Sequence, residues 1–191
     1  MTYKPRLTQP ESGNKLWTQV AYGGYNRQII GSPTAWNGSV LANCTGYVHG
    51  RWMEIGNTTT EYSISSGNAS TYYNYGDSYT RGSTPKLGAI VCYSGGYGGA
   101  GHVAIVEEIK SNGDLLVSQS NYGGTIFETQ LVTKSSGYVP WGALTFQGFI
   151  YHPNVDPTPP DPGHGGGINL LMLIAVRNKQ KRGKHYGIKY I

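Results

Sequence analysis

Two side chains in this sequence have the chemistry of a thiol nucleophile and its base. Cys44 opens the stretch Cys44-Thr45-Gly46-Tyr47-Val48-His49-Gly50-Arg51-Trp52-Met53-Glu54-Ile55, and His102 follows the glycine-rich run Gly98-Gly99-Ala100-Gly101. A cysteine sulfur attacks a carbonyl once an imidazole takes its proton, and the same imidazole then protonates the leaving amine. A third group, bonded to the other ring nitrogen, holds the tautomer and orientation. Taken singly, a free cysteine is more often an inert buried residue, and a strand histidine is more often part of a core. The pair carries meaning only if the fold brings the two together.

Cys44, Tyr47, Val48, Trp52 and Ile55 recur at helical spacing and form one apolar stripe, so the stretch is expected to be a helix facing a core. Asn43 is a favourable N-cap. A thiol in the first turn meets free N–H groups and the positive end of the helix dipole, which are expected to lower its pKa below the free value of about 8.5. Gly46 and Gly50 cost about 1 kcal/mol each relative to alanine, which fits a sheet packed closely against that face. Arg51 and Glu54 are expected on the exposed side of the helix.

Strands are expected over 87–93, 102–110, 114–122, 126–132 and 146–151, separated by Gly, Ser, Asn and Pro clusters, which makes an antiparallel sheet. Asn112-Gly113 between two alternating runs predicts a two-residue type I′ hairpin turn. With Ser111 paired to Asp114 and no bulge, Val106 lies opposite Gln119, Ala104 opposite Asn121 and His102 opposite Gly123. Asn121 is then the diagonal neighbour of His102 on one face, close enough to bond its ring, with Gln119 second in rank as a supporting group. Glu107 and Glu108 are expected at a strand edge near the hairpin. His49, His152, His164 and His185 lie on no comparable strand and are assigned no chemistry.

Composition narrows the field. Of 191 residues, 29 are Gly and 16 are Tyr, and only 13% are charged, which describes a loop-rich, β-leaning chain with a surface of Tyr, Ser, Thr and Asn. Residues 1–176 hold nine Lys/Arg and ten Asp/Glu, whereas residues 177–191 hold six Lys/Arg and no acid. The body therefore lacks the basic footprint that phosphate recognition needs, and no nucleic-acid partner is expected. No apolar run reaches the roughly 18 residues needed to cross a bilayer, and no signal peptide is expected after Met1. Cys92 sits in an apolar run read as a buried strand, so a Cys44–Cys92 bridge is disfavoured. No Cys-x-x-Cys or His-x-x-x-His spacing occurs, so no metal or other cofactor is expected.

Residues 1–43 look like an irregular lead-in, and the polar, Tyr-rich tract 56–86 like exposed loops lining a groove. A catalytic domain is expected over 1–152, then a Pro/Gly-rich linker over 153–167 and a tail over 168–191 that is first apolar and then basic. Three readings of the tail stay open: an interfacial anchor drawn to anionic lipid or another anionic polymer, a peptide docking on a larger assembly or oligomer partner, or a disordered end.

The blocks Asn-Cys-Thr-Gly-Tyr-Val-His-Gly-Arg, Gly-Ala-Ile-Val-Cys-Tyr, Gly-His-Val-Ala-Ile-Val-Glu and Ser-Gln-Ser-Asn-Tyr, in this order, resemble the CHAP domains of bacteriophage peptidoglycan hydrolases over roughly residues 5–152. The resemblance implies a papain-like α+β fold, with N-terminal helices packed on an antiparallel sheet of about five or six strands. It implies cleavage of an amide bond in bacterial peptidoglycan, either the muramoyl-alanine amide or a bond of the stem peptide or cross-bridge, for host lysis or wall penetration at entry. By motif position the nucleophile is Cys44, the base His102 and the orienting group Asn121; Gln119 stays the supporting group by its strand face, and Tyr122 is expected as a substrate contact. The implied setting is the host cytoplasm and then the wall, or a virion tail whose proteins would be partners. Many members carry Glu at the place of Gln119, and its loss removes a charge that favours imidazolium. The rival expectation is a virion structural or wall-binding protein whose domain of this kind is weakened or inactive.

Overall fold

The computed structural model describes residues 3–11, 14 and 41–155. The linker beyond residue 155, the tail, and most of the lead-in lie outside the described residues.

Helix α1 spans Cys44–Ile55. Asn43 caps it: its side-chain oxygen accepts from the Thr45 N–H at 3.1 Å and from the Thr45 hydroxyl at 2.9 Å. The Asn43 N–H in turn donates to the Ser120 hydroxyl at 3.0 Å, tying the helix start to the sheet. Replacing Asn43 by alanine is expected to cost about 1 kcal/mol, measurable as a lower urea midpoint at unchanged m-value.

The expected apolar stripe is buried, but so is nearly every other residue of α1. Arg51 and Glu107, both expected at the surface, lie inside. Arg51 donates from Nε to Glu107 Oε1 and from Nη2 to Glu107 Oε2, each at 2.9 Å. Glu107 also accepts from the Ser118 hydroxyl at 2.6 Å and from the Arg6 N–H at 2.9 Å, and Arg51 donates to the Lys4 carbonyl at 2.7 Å. The N-terminal strip 3–8 thus covers the helix face that helical spacing alone would leave in water. Burial acts against the Arg51 charge, and the Glu107 carboxylate outweighs it, holding the guanidinium above its ordinary pKa.

Six antiparallel strands follow: β1 Arg81–Gly82, β2 Ile90–Gly95, β3 His102–Ile109, β4 Leu115–Gln119, β5 Glu128–Val132 and β6 Leu144–Ile150. Their order in the sheet is β1-β6-β2-β3-β4-β5. Five match the expected strands, and the α+β class is as expected; α1 is the single α-helix among the described residues. Tyr47, Val48 and Trp52 of α1 pack with Ile90, Cys92, Val103 and Ile105 on one face of the sheet. Val91, Tyr93, Ala104, Val106, Val117 and Phe149 form a second core on the other.

The tract 56–86 is not a set of exposed loops. Ile64, Ala69 and Tyr72 are buried in the helix-side core, and Arg81–Gly82 pairs with β6. Its buried side chains come from turns and a short 3-10 helix at Ala69–Thr71, so no period marks them.

The β3–β4 hairpin departs from the expected register twice. Its turn is a three-residue loop: the Gly113 N–H donates to Lys110 O and the Lys110 N–H to Asp114 O, with Gly113 at φ +87°. This is a type I turn closed by a left-handed glycine, and it pairs Lys110, not Ser111, with Asp114. A second slip falls between Val106 and Glu108, where Glu107 turns its carboxylate to Arg51. Beyond it Val106 faces Val117 and Ile105 faces Ser118.

Candidate active site

Cys44 stands at the first position of α1 and is 8% exposed. Its sulfur lies against the backbone N–H groups of Val103, Thr45 and Cys44, all of which favour a thiolate. Burial is the larger effect and pushes the thiol up to about 11. The expectation that the helix N-terminus lowers this pKa is therefore corrected: in the closed resting site desolvation outweighs the helix start. The N–H of Val103, next to His102, brings the start of β3 against the sulfur.

His102 is placed by Gly101. That glycine has φ +75°, and a Cβ there would sit 2.4 Å from both Ser70 N and Tyr93 O. The chain passes so close to the Ala69–Thr71 turn and to β2 that only glycine fits. The imidazole then stacks on Tyr93 at 6.2 Å between ring centres and meets Trp141 at 5.1 Å.

The ring partner is Gln119, not Asn121. His102 Nε2 lies 2.8 Å from Gln119 Oε1, while Asn121 Nδ2 donates to Glu128 Oε1 at 2.8 Å. The two register slips explain this. Carried three pairs past Ile105–Ser118, the observed register sets His102 level with Asn121 and makes Gln119 its diagonal neighbour. Gln119 Nε2 donates to Glu128 Oε1 at 2.7 Å and to Gln130 Oε1 at 2.9 Å. Among the described residues no hydrogen bond joins the Cys44 sulfur to the His102 ring. Tyr122, beside Asn121, is 69% exposed and free to meet a ligand.

Glu128, Gln130 and Trp141 received no role from sequence. The pairing Gln119 with Glu128 is centred on Gly123-Gly124, and that glycine pair between two strand-like runs is the signal that would have found it.

Burial lowers His102 to about 4, against the opposing effects of the Gln119 bond and the Glu128 charge. Burial also lowers His152 to about 4, where the Trp52 carbonyl acts the other way. Both imidazoles titrate near 6.5 when unfolded, so between these values the unfolded chain binds more protons than the folded one. Stability present above pH 6.5 is thus expected to fall as pH drops toward 4. Urea unfolding at steps across that window checks this, with a slope approaching two protons.

Residues 34–121 match the CHAP domain family. The staphylococcal secretory antigen SsaA of Staphylococcus aureus is 46% identical over 118 residues, covering 59% of this chain and 42% of that protein. The N-acetylmuramoyl-L-alanine amidase sle1 of the same species is 31% identical over 121 residues, covering 62% of this chain and 34% of that one. A crystal structure of an N-acetylmuramoyl-L-alanine amidase from Staphylococcus aureus shares 30% identity with a TM-score of 0.44, over 57% of this chain and 30% of that one. The chain spans less than half the length of these relatives. Cys44, His102 and Asn121 all fall within the segment that is similar to the CHAP domain family.

Proposed function

We propose that this chain hydrolyses an amide bond of bacterial peptidoglycan with Cys44 as nucleophile and His102 as general base. The observation that carries this reading is the joint placement of a helix-start thiol, under backbone N–H groups, and a strand-start imidazole oriented by a hydrogen-bonded amide. The CHAP match and the amidase relative supply the substrate class.

With Nε2 held by Gln119, Nδ1 is the ring nitrogen left to take the thiol proton. The sulfur then bonds to the substrate carbonyl, the imidazolium protonates the departing amine, and water attacks the thioester by the reverse path. The neutral resting pair, with the thiol raised and the imidazole lowered, transfers its proton as the carbonyl is attacked instead of holding a standing thiolate. Exposed Tyr122 and Trp141 flank the site as surfaces for a peptide or sugar. Asn121, in this reading, braces the network through Glu128.

The phage setting, whether host lysis or wall penetration, rests on the resemblance of the motif blocks, and the separation of a catalytic domain at 1–152 from its tail rests on the Pro/Gly-rich composition of residues 153–167. Mass spectrometry of fragments from purified walls tests the reaction. Free lactyl-muramic ends identify an amidase, new stem or bridge amines an endopeptidase, and intact walls an inactive binding protein, the outcome that Gln119 in place of a carboxylate would favour.

A further inference from the structure

A neutral amide is an ambiguous partner for an imidazole. Gln119 turned over would offer an N–H to Nε2, place the ring proton on Nδ1, and remove the base. Three groups decide its orientation. Glu128 sits directly across from Gln119 in the β4–β5 pairing, and its Oε1 accepts from Gln119 and from Asn121. Gln130 Oε1 accepts the second Gln119 N–H, and Gln130 is itself turned by donating to the Pro140 carbonyl at 3.4 Å. Gln130 and Asn121 are amides that can flip; a carboxylate only accepts. Glu128 is the fixed point of the network.

We propose that Glu128 is a positioning residue for His102: by anchoring the Gln119 amide it presents Gln119 Oε1 to the ring, locks the Nε2–H tautomer and leaves Nδ1 free as base. The proposal rests on the reading of His102 as the base. Glu128 also places a negative charge one amide beyond the ring, which favours imidazolium and replaces, at one remove, a carboxylate in direct contact. The groups packed on the ring are Tyr93 from β2, Gln119 from β4 and Trp141 before β6. Tyr93 is raised by burial far above this range, so Glu128 is the charge that acts on His102.

Long-range proton–nitrogen NMR of the full chain labelled at histidine nitrogens reads the tautomer without requiring turnover. The wild-type ring is expected as one Nε2–H tautomer. Glu128→Ala is expected to mix the two tautomers, lower the His102 titration midpoint and reduce kcat about tenfold at little-changed KM. Adding Gln119→Glu restores both tautomer and kcat, because a carboxylate in contact can only accept; a packing defect would show no such rescue. Should Glu128→Ala fail to fold, Glu128→Gln keeps the shape, and it is expected to lower the midpoint in the same way. An unchanged tautomer and midpoint in a folded Glu128 variant overturns the proposal. Wall digestion that survives His102→Ala overturns the reading of His102 as base and leaves the Glu128 linkage as measured.

Discussion

Cys44→Ala is expected to lower the rate of wall hydrolysis by at least about a thousandfold while the fold stays intact. The side chain is small and stands at a helix start whose cap is made by Asn43 and Thr45, so its sulfur bears none of the capping bonds. Loss of the buried sulfur costs about 1 kcal/mol of stability, and circular dichroism with a melting curve separates that from the loss of rate. The effect falls on kcat, since the bond removed is one that forms only along the reaction path. Cys92 cannot substitute: it is fully buried in β2, and burial pushes its thiol far up.

The second large effect is on stability and lies at the Arg51–Glu107 pair. Glu107→Ala is expected to cost about 3 kcal/mol, because it takes two charge-assisted bonds from a guanidinium that is almost wholly enclosed and leaves it with Glu54 and the Lys4 carbonyl. The same change removes the acceptor for Ser118 and for the Arg6 N–H, loosening the N-terminal strip. Arg51→Met with Glu107→Leu is expected to recover most of that loss, since neither charge is then left unpaired. Chemical denaturation of both variants beside the parent checks the ordering. Wall hydrolysis retained by the folded double variant would also show that the pair supports the fold and takes no part in the chemistry.

The site was legible in the sequence to a limited and instructive degree. Helical spacing placed Cys44 correctly at the start of α1, and the strand pattern placed His102 at the start of β3. The face shared by His102, Ala104 and Val106 with Gln119 also came through, for a reason internal to β-structure. One residue was absorbed by the longer turn and another beside Glu107, and a slip of two residues restores the original face. What the same slip changed was the neighbour: the diagonal partner of His102 moved from Asn121 to Gln119. Asn112-Gly113 is compatible with both turn lengths, and the bulge coincides with Glu107, whose buried partner Arg51 is 56 positions away in sequence. Neither event leaves a local mark.

Arg51 and the tract 56–86 were misplaced for a related reason. Periodicity reports which residues of one element share a face, not which other segments cover the remaining faces. Arg51 is enclosed by residues 3–6 and by Glu107, and Ile64 and Tyr72 are enclosed by α1 and the sheet. The thiol pKa follows the same logic, because a helix start acts locally whereas desolvation depends on everything packed around it.

Release of new primary amines from purified staphylococcal peptidoglycan, followed in parallel for the parent chain and Cys44→Ala, tests the central claim most directly. The account predicts amines accumulating with the parent and none above background with the variant. Equal release by both, or none by the parent, would contradict it.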